Sequence, residues 1–392
     1  MAHSNDSNSG QSHLGQSPLG HSKKLSAGVT RTDRLLMDGR TIRYYDTQGQ
    51  ARNSEDLRPV ESQPAIGEMR LDVLTNEWVV MAAHRQTRVF LPPKELNPLA
   101  PSRPDSLTEI PESDYEVVVF DNRSPALRAP SQQMEIPDEL NFETPPIPAA
   151  GKCEVVCYTP NYDASFKDLS TRQIRTVLEA WRDRVAELST LDHIQHIAPF
   201  ENRGEEVGVT LSHPHGQIYA YPYLPPRTAR MLEVAQAHKN ATGRVLMDDI
   251  LARELRDEKR IVAANEEWVA YVPYASRYPF EIHVAPRRPV PDLAALDDPA
   301  SDAFAPLAKE VLQRLDGVFD MKMAYIAAWH QAPVRTGRDV LRLHWQINSV
   351  RRAPGKLKYL AGSESAFGSF MMDLWPEQSA QQLREVLING SN

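Results

Sequence analysis

The chain has 392 residues, room for two or three folded units at a typical ~150 residues each. Its 41% apolar content excludes wholesale disorder, and 44 basic against 52 acidic residues, a net charge of -8, exclude a broad cationic surface for nucleic acid. No apolar run reaches the ~20 residues of a membrane helix, and the Ser/Gly/His-rich stretch from Ser4 to Gly20 has no apolar signal core, so a cytoplasmic protein without membrane or nucleic-acid partners is expected.

Residues 1–32 are polar and too poor in apolar groups to offset the entropy of ordering, which predicts a disordered tail. From Arg70 to Met81 the pattern predicts two short strands about a Thr-Asn turn, and the Pro-rich run Leu91 to Pro111 predicts an ordered surface loop. Strands are expected at Glu116 to Phe120 and Glu154 to Tyr158. Cys153 and Cys157 read there as buried core thiols, too few for a disulfide framework. A helix follows, with Ser170 and Gln173 as a capping box and Ile174, Val177, Leu178, Trp181, Val185 and Leu188 on one side. Strands at Val207 to Leu211 and Gln217 to Tyr221 close a first half, residues 33–225.

Residues 226–392 repeat that order. Strands are expected at Glu267 to Tyr274 and Glu281 to Pro286, a helix at Asp302 to Phe319, strands at Ala324 to Trp329 and Leu341 to Ser349, and a short helix from Pro376 to Leu387. Two strands, a helix and two strands, twice over, suggest duplication. In that registration Leu343 to Ile347 (LHWQI) falls opposite His213 to Ile218 (HPHGQI), predicting one intact site and one degenerate copy.

His213, His215 and Gln217 alternate, and on a strand positions i, i+2 and i+4 project from one face. Pro214 stiffens the backbone between the histidines, and Gly216 removes a side chain where a phosphate-sized ligand could approach. An isolated His-x-His is more often an incidental surface pair, so the longer motif decides.

The segment Gly208 to Pro222 (GVTLSHPHGQIYAYP) resembles the active-site segment of galactose-1-phosphate uridylyltransferases, the transferase branch of the histidine-triad superfamily. Asp38 to Arg40, His84 to Arg88, Phe120 to Leu127, Asn202 to Gly204 and Ala328 to Pro333 agree in order. The resemblance implies an α+β fold, a duplicated histidine-triad-like unit of mostly antiparallel sheets packed with helices. It implies that His215 attacks the α-phosphorus of UDP-glucose and carries the uridylyl group until galactose-1-phosphate collects it. A neutral imidazole is nucleophilic near pH 7, and both the leaving group and the acceptor are already anionic, so Gln217 need only donate to a phosphoryl oxygen. Arg85, Arg88, Asn122, Asn202 and Thr210 match positions that hold the nucleotide and its phosphates. Lys358 and Glu364 resemble a sugar-contacting segment that reaches the neighbouring subunit's site, which implies a homodimer. Ser124 stands where the family generally carries an aromatic. The alternatives are an ADP-sugar or dinucleoside polyphosphate phosphorylase of the same superfamily, or a nucleotide-binding module without turnover.

The resemblance also implies metals that these residues supply poorly. Of a family zinc set, the Cys pair falls at Asn97 and Ala100 and one histidine at Tyr162, leaving only His213; a lone histidine cannot build a tetrahedral site. Of a second set of one Glu and three His, His330 and His344 match, Gln346 replaces the third histidine, and recruiting Glu233 needs a register shift. No organic cofactor is expected.

Overall fold

Residues 21–60, 67–87, 91–129 and 140–388 are described by a computed structural model of the chain. Many runs rich in Val, Ile, Tyr and Phe become strands; in chain order the strands are β1 (Ser22–Lys24), β2 (Thr30–Leu35), β3 (Thr41–Asp46), β4 (Glu68–Asp72), β5 (Glu77–Met81), β6 (Val117–Asp121), β7 (Ile147–Pro148), β8 (Lys152–Cys157), β9 (His196–Arg203), β10 (His215–Tyr221), β11 (Ile261–Ala264), β12 (Trp268–Tyr271), β13 (Phe280–Pro286), β14 (Tyr325–His330), β15 (His344–Ser349), β16 (Arg351–Ala353) and β17 (Lys356–Leu357). The helices are α1 (Thr171–Leu188), α2 (Pro226–Thr242), α3 (Leu246–Asp257), α4 (Asp298–Gly317), α5 (Gly362–Phe367) and α6 (Pro376–Glu385).

Twelve strands form one antiparallel sheet in the order β1-β2-β3-β6-β8-β10-β9-β14-β15-β13-β12-β11. The order is palindromic about the β9–β14 seam: β8-β10-β9 on one side answers β13-β15-β14 on the other, so the duplication read from the sequence becomes two half-sheets joined edge to edge. β5-β4-β7 form a separate small sheet, and β16 pairs with β17. α1 and α4 pack against each other over a continuous core in which Phe166, Trp181, Phe304, Trp329 and Trp345 are all in ring contact. Ser170 caps α1 by accepting from Gln173 N–H at 3.1 Å, while the Gln173 amide bonds Tyr158 O at 2.8 Å instead of closing the box. No described helix is long and apolar enough to cross a membrane.

Several expectations need correction. The tail does not run to residue 32, because β1 and the start of β2 are paired strands tied down by charge: Lys23 and Arg31 both reach Asp183 of α1 at 2.8 Å. Residues 1–20 lie outside the described residues. The strand expected at Val207 to Leu211 is absent; a 3-10 turn at Glu205–Val207 ends on Gly208 with φ 77°, and β9 supplies the ladder instead. Pro199 hides β9 in the sequence, since proline lacks a ladder donor. The Pro-rich loop is not superficial: Asn97, Leu99 and Ile110 are buried. Cys153 and Cys157 are buried free thiols, and burial pushes Cys153 up to about 11.

Candidate active site

β10 begins at His215, so His215 and Gln217 share one face while His213 lies in the bend before the strand. Three polar heads therefore do not line up as expected; two do, and the third turns inward. Gly216 faces the opposite side, where a Cβ would stand 2.0 Å from Tyr158 Oη and 2.8 Å from Phe200 O. Its small size serves packing beneath the strand, which corrects the reading of a ligand-approach point.

His215 Nδ1 donates to the His213 carbonyl at 2.7 Å, because a carbonyl can only accept. That fixes the tautomer and gives the lone pair to Nε2. The ring lines a cleft of about 540 Å3 together with Gln217, Thr210, Asn202, Asn122 and Arg85. Asn122 is held by its backbone N–H on Cys153 O at 2.9 Å and by an Asx turn in which its Oδ1 accepts from Ser124 N–H at 2.9 Å. Thr210 O accepts from Leu91 N–H at 2.8 Å, pinning the loop that carries Thr210. Arg85 sits on a short 3-10 helix (Ala83–Thr87), whose His84 ring meets Pro125 O at 3.0 Å. The Gln217 carboxamide oxygen is buried without a hydrogen-bond partner, an acceptor open to a ligand N–H or O–H, while only the amide's nitrogen end can donate to an anionic oxygen. Behind the strand, burial pushes the Glu201 carboxyl up to about 7, against the pull of Arg203 and a hydrogen bond from Tyr325 Oη at 3.1 Å.

Two family models match the chain: galactose-1-phosphate uridyl transferase, N-terminal domain, over residues 60–225 and C-terminal domain over residues 231–389. The chain belongs to the galactose-1-phosphate uridylyltransferase family. It is 40% identical over 372 residues to the galactose-1-phosphate uridylyltransferase of Streptomyces lividans, covering 91% of this chain and 98% of that relative. To the enzyme of the same name from Thermotoga maritima it is 34% identical, covering 82% and 99%. A solved uridylyltransferase structure superposes with TM-score 0.69 at 30% identity, covering 81% of this chain and 98% of that one. An ADP-glucose phosphorylase from Arabidopsis thaliana, TM-score 0.61 at 24% identity, shares the fold.

Within this family frame, the cleft unites Arg85, Asn122, Asn202, Thr210, His215 and Gln217. Arg88 lies outside the described residues. Lys358 and Glu364 do not line the cleft. They are buried against each other as an ion pair, Lys358 Nζ also bonding Met371 O at 2.7 Å. Sequence reasoning missed Arg123 and Phe200, which line the cleft too. Arg123 stood inside the quoted Phe120 to Leu127 motif. Phe200 was findable only by knowing β9, since it pairs with Gln217 two positions before Asn202.

The family's metals do not fit the residues present. His213 is 1% exposed and its nitrogens are engaged by Asn97, Tyr115 and Thr159, with Tyr162 against the ring edge; burial pushes its imidazole down to about 4. At the second set, His344 stacks face to face on His330, centroids 5.0 Å apart at 12°, and lies 5.3 Å from His283. Stacked rings do not converge on a shared ion. Glu233 is exposed and paired with Arg230 at 2.7 Å. Among the described residues no group of three or more His, Cys, Asp or Glu is arranged to hold a metal ion.

Proposed function

We propose that this protein moves a uridylyl group from UDP-glucose to galactose-1-phosphate through a covalent intermediate on His215. The observation that carries this reading is the 2.7 Å bond from His215 Nδ1–H to its neighbour's carbonyl, which leaves Nε2 as the attacking nitrogen beside Gln217. Nε2 forms a bond to the α-phosphorus as the bond to the leaving phosphate oxygen breaks, its electron pair departing with glucose-1-phosphate. The ring then carries positive charge, which the His213 carbonyl dipole favours through Nδ1–H. A phosphate oxygen of galactose-1-phosphate attacks the same phosphorus, the P–N pair returns to Nε2, and no net proton is exchanged.

Around the phosphorus, Arg85, Asn122, Asn202 and Thr210 supply cation and donors for the equatorial oxygens, and the Gln217 amide donates without shuttling protons. Leu99, Phe120 and Val155 give the same cleft an apolar wall suited to a base. The reading includes a homodimer. Tyr359, Leu360 and Phe367, exposed at 74%, 50% and 84%, offer an apolar docking surface on the segment that Lys358 and Glu364 hold in shape.

The test is intact mass after mixing with UDP-glucose alone, then peptide mapping that preserves phosphoramidates. A uridylyl adduct on the His215 peptide is expected; an adduct from ADP-glucose only, or none with either donor, overturns the reading. Sedimentation velocity tests the dimer, a monomer at assay concentration counting against it.

A further inference from the structure

The bend that carries His213 is built around a closed set of buried hydrogen bonds. Asn97 Nδ2 donates to His213 Nδ1 at 2.9 Å, so the ring proton resides on Nε2, which donates to Thr159 O at 2.8 Å and lies 3.0 Å from the Tyr115 hydroxyl. Tyr115 Oη donates to the same Thr159 carbonyl at 2.8 Å. Asn97 Oδ1 accepts from Leu99 N–H at 3.1 Å, fixing which end of the amide meets the ring. Asn97, Tyr115 and His213 are 4%, 3% and 1% exposed, so water cannot replace a lost partner.

We infer that this interlocked Asn97–His213–Tyr115 set performs without any metal the bracing that a bound ion would give, and that Asn97 and Tyr115 are positioning residues for His215. The link is short. The His213 ring is clamped on both nitrogens, its own carbonyl is the acceptor for His215 Nδ1–H, and a shift of the clamped residue re-aims the imidazole that attacks phosphorus. A metal at this place would need Nδ1 or Nε2, and both are spent. Asn97 comes from the Pro-rich loop, Tyr115 from the residues before β6 and Thr159 from just after β8, so three separate segments converge on one ring. This explains why so irregular a loop is buried: its Asn97 reaches under the catalytic bend.

The inference rests on His215 as the nucleophile, so the experiment first records uridylylation of the unaltered protein; absence of an adduct there defeats that reading, not the brace. Given an adduct, metal content by mass spectrometry and the single-turnover uridylylation rate are measured before and after EDTA. Less than one-tenth of an equivalent of metal, and a rate unmoved by chelator, are expected, on the order of what a metal-free brace requires. In Asn97→Ala the rate of the covalent step falls by about 10- to 100-fold, the usual cost of removing an outer-shell support, while KM for UDP-glucose stays within about twofold. Tyr115→Phe, which deletes only a hydroxyl and keeps the fold, shows the same pattern more weakly. Stoichiometric metal whose removal stops the reaction overturns the inference. So does an unchanged covalent step in both variants, or a rise in KM with kcat intact.

Discussion

The two halves put the same residues at the same places on β10 and β15 and do different things with them. In the first half Gln217 looks across at Val155 on β8 and Phe200 on β9, side chains that ask for no hydrogen bonds, and faces the cleft, while His215, opposite Cys157, lines the same cleft with its Nδ1–H held by the His213 carbonyl. In the second, His344 and Gln346 hold the matching positions, but β13 sets His283 opposite Gln346 and β14 sets His330 opposite His344. There Gln346 Nε2 lies 2.8 Å from His283 Nε2, which also meets Glu281 at 3.1 Å, and the histidine rings stack. One half turns its histidine and glutamine onto an open cleft; the other packs them against its own histidines and Glu281. A histidine and a glutamine at the right spacing are therefore not a site until the strands beside them leave an opening in front of them.

This contrast breaks first at the nucleophiles. His215→Ala should lower transfer by about 10^4-fold or more and abolish the adduct, whereas His344→Ala should stay within a few-fold on the covalent step, as rapid-quench assays of both would report. A dead His344→Ala that remains folded would erase the distinction. The glutamines come next. Loss of the phosphate donor in Gln217→Ala should cost about 10^2-fold in kcat, and Gln346→Ala should instead lower the melting temperature. At the seam the effect is on pH. Glu201 titrates at about 7 in the fold against an ordinary 4.5, so its contribution is fully present below about pH 4.5 and is lost as pH rises through 7, a swing of about 3 kcal/mol. Urea titrations of Glu201→Gln should show the fall in stability across that window reduced by this amount; an unaltered fall would mean that the carboxyl is not buried as described. The smallest effect concerns position 216, a glycine here and Trp345 in the other half. Gly216→Ala should cost about 2 kcal/mol by overpacking, and Tyr158→Phe should recover part of it, since the Tyr158 hydroxyl that a new Cβ meets has no partner of its own.

Much of this arrangement was legible beforehand where a local signal existed. The Ser170 cap, the one-sided α1 and the His215–Gln217 alternation follow from local spacing, and the repeat from the shared order of elements in residues 33–225 and 226–392. What escaped depended on distant partners. β9 was masked by Pro199, whose missing donor matters less than the apolar contacts that Phe200 and Ile197 make across the sheet. α2 buries little more than Thr228 and Ala235, so no apolar stripe announced it. Asn97 read as loop because its role exists only once residues 115, 159 and 213 are brought to it. Gly216 was explained by a ligand when its real neighbours, Tyr158 and Phe200, are 58 and 16 positions away.

Joining two half-sheets at β9–β14 also leaves a single long sheet with only two rims, and both are blunted. At one rim β1 is three residues long, fully exposed and reads Ser-Lys-Lys, a charged fringe on which another strand gains little. At the other, β11 lies under α6, whose Arg384 guanidinium takes the Ile261 carbonyl at 2.6 Å. Among the described residues, strand-by-strand growth into fibres therefore meets a short charged fringe at one end of this sheet and a covering helix at the other.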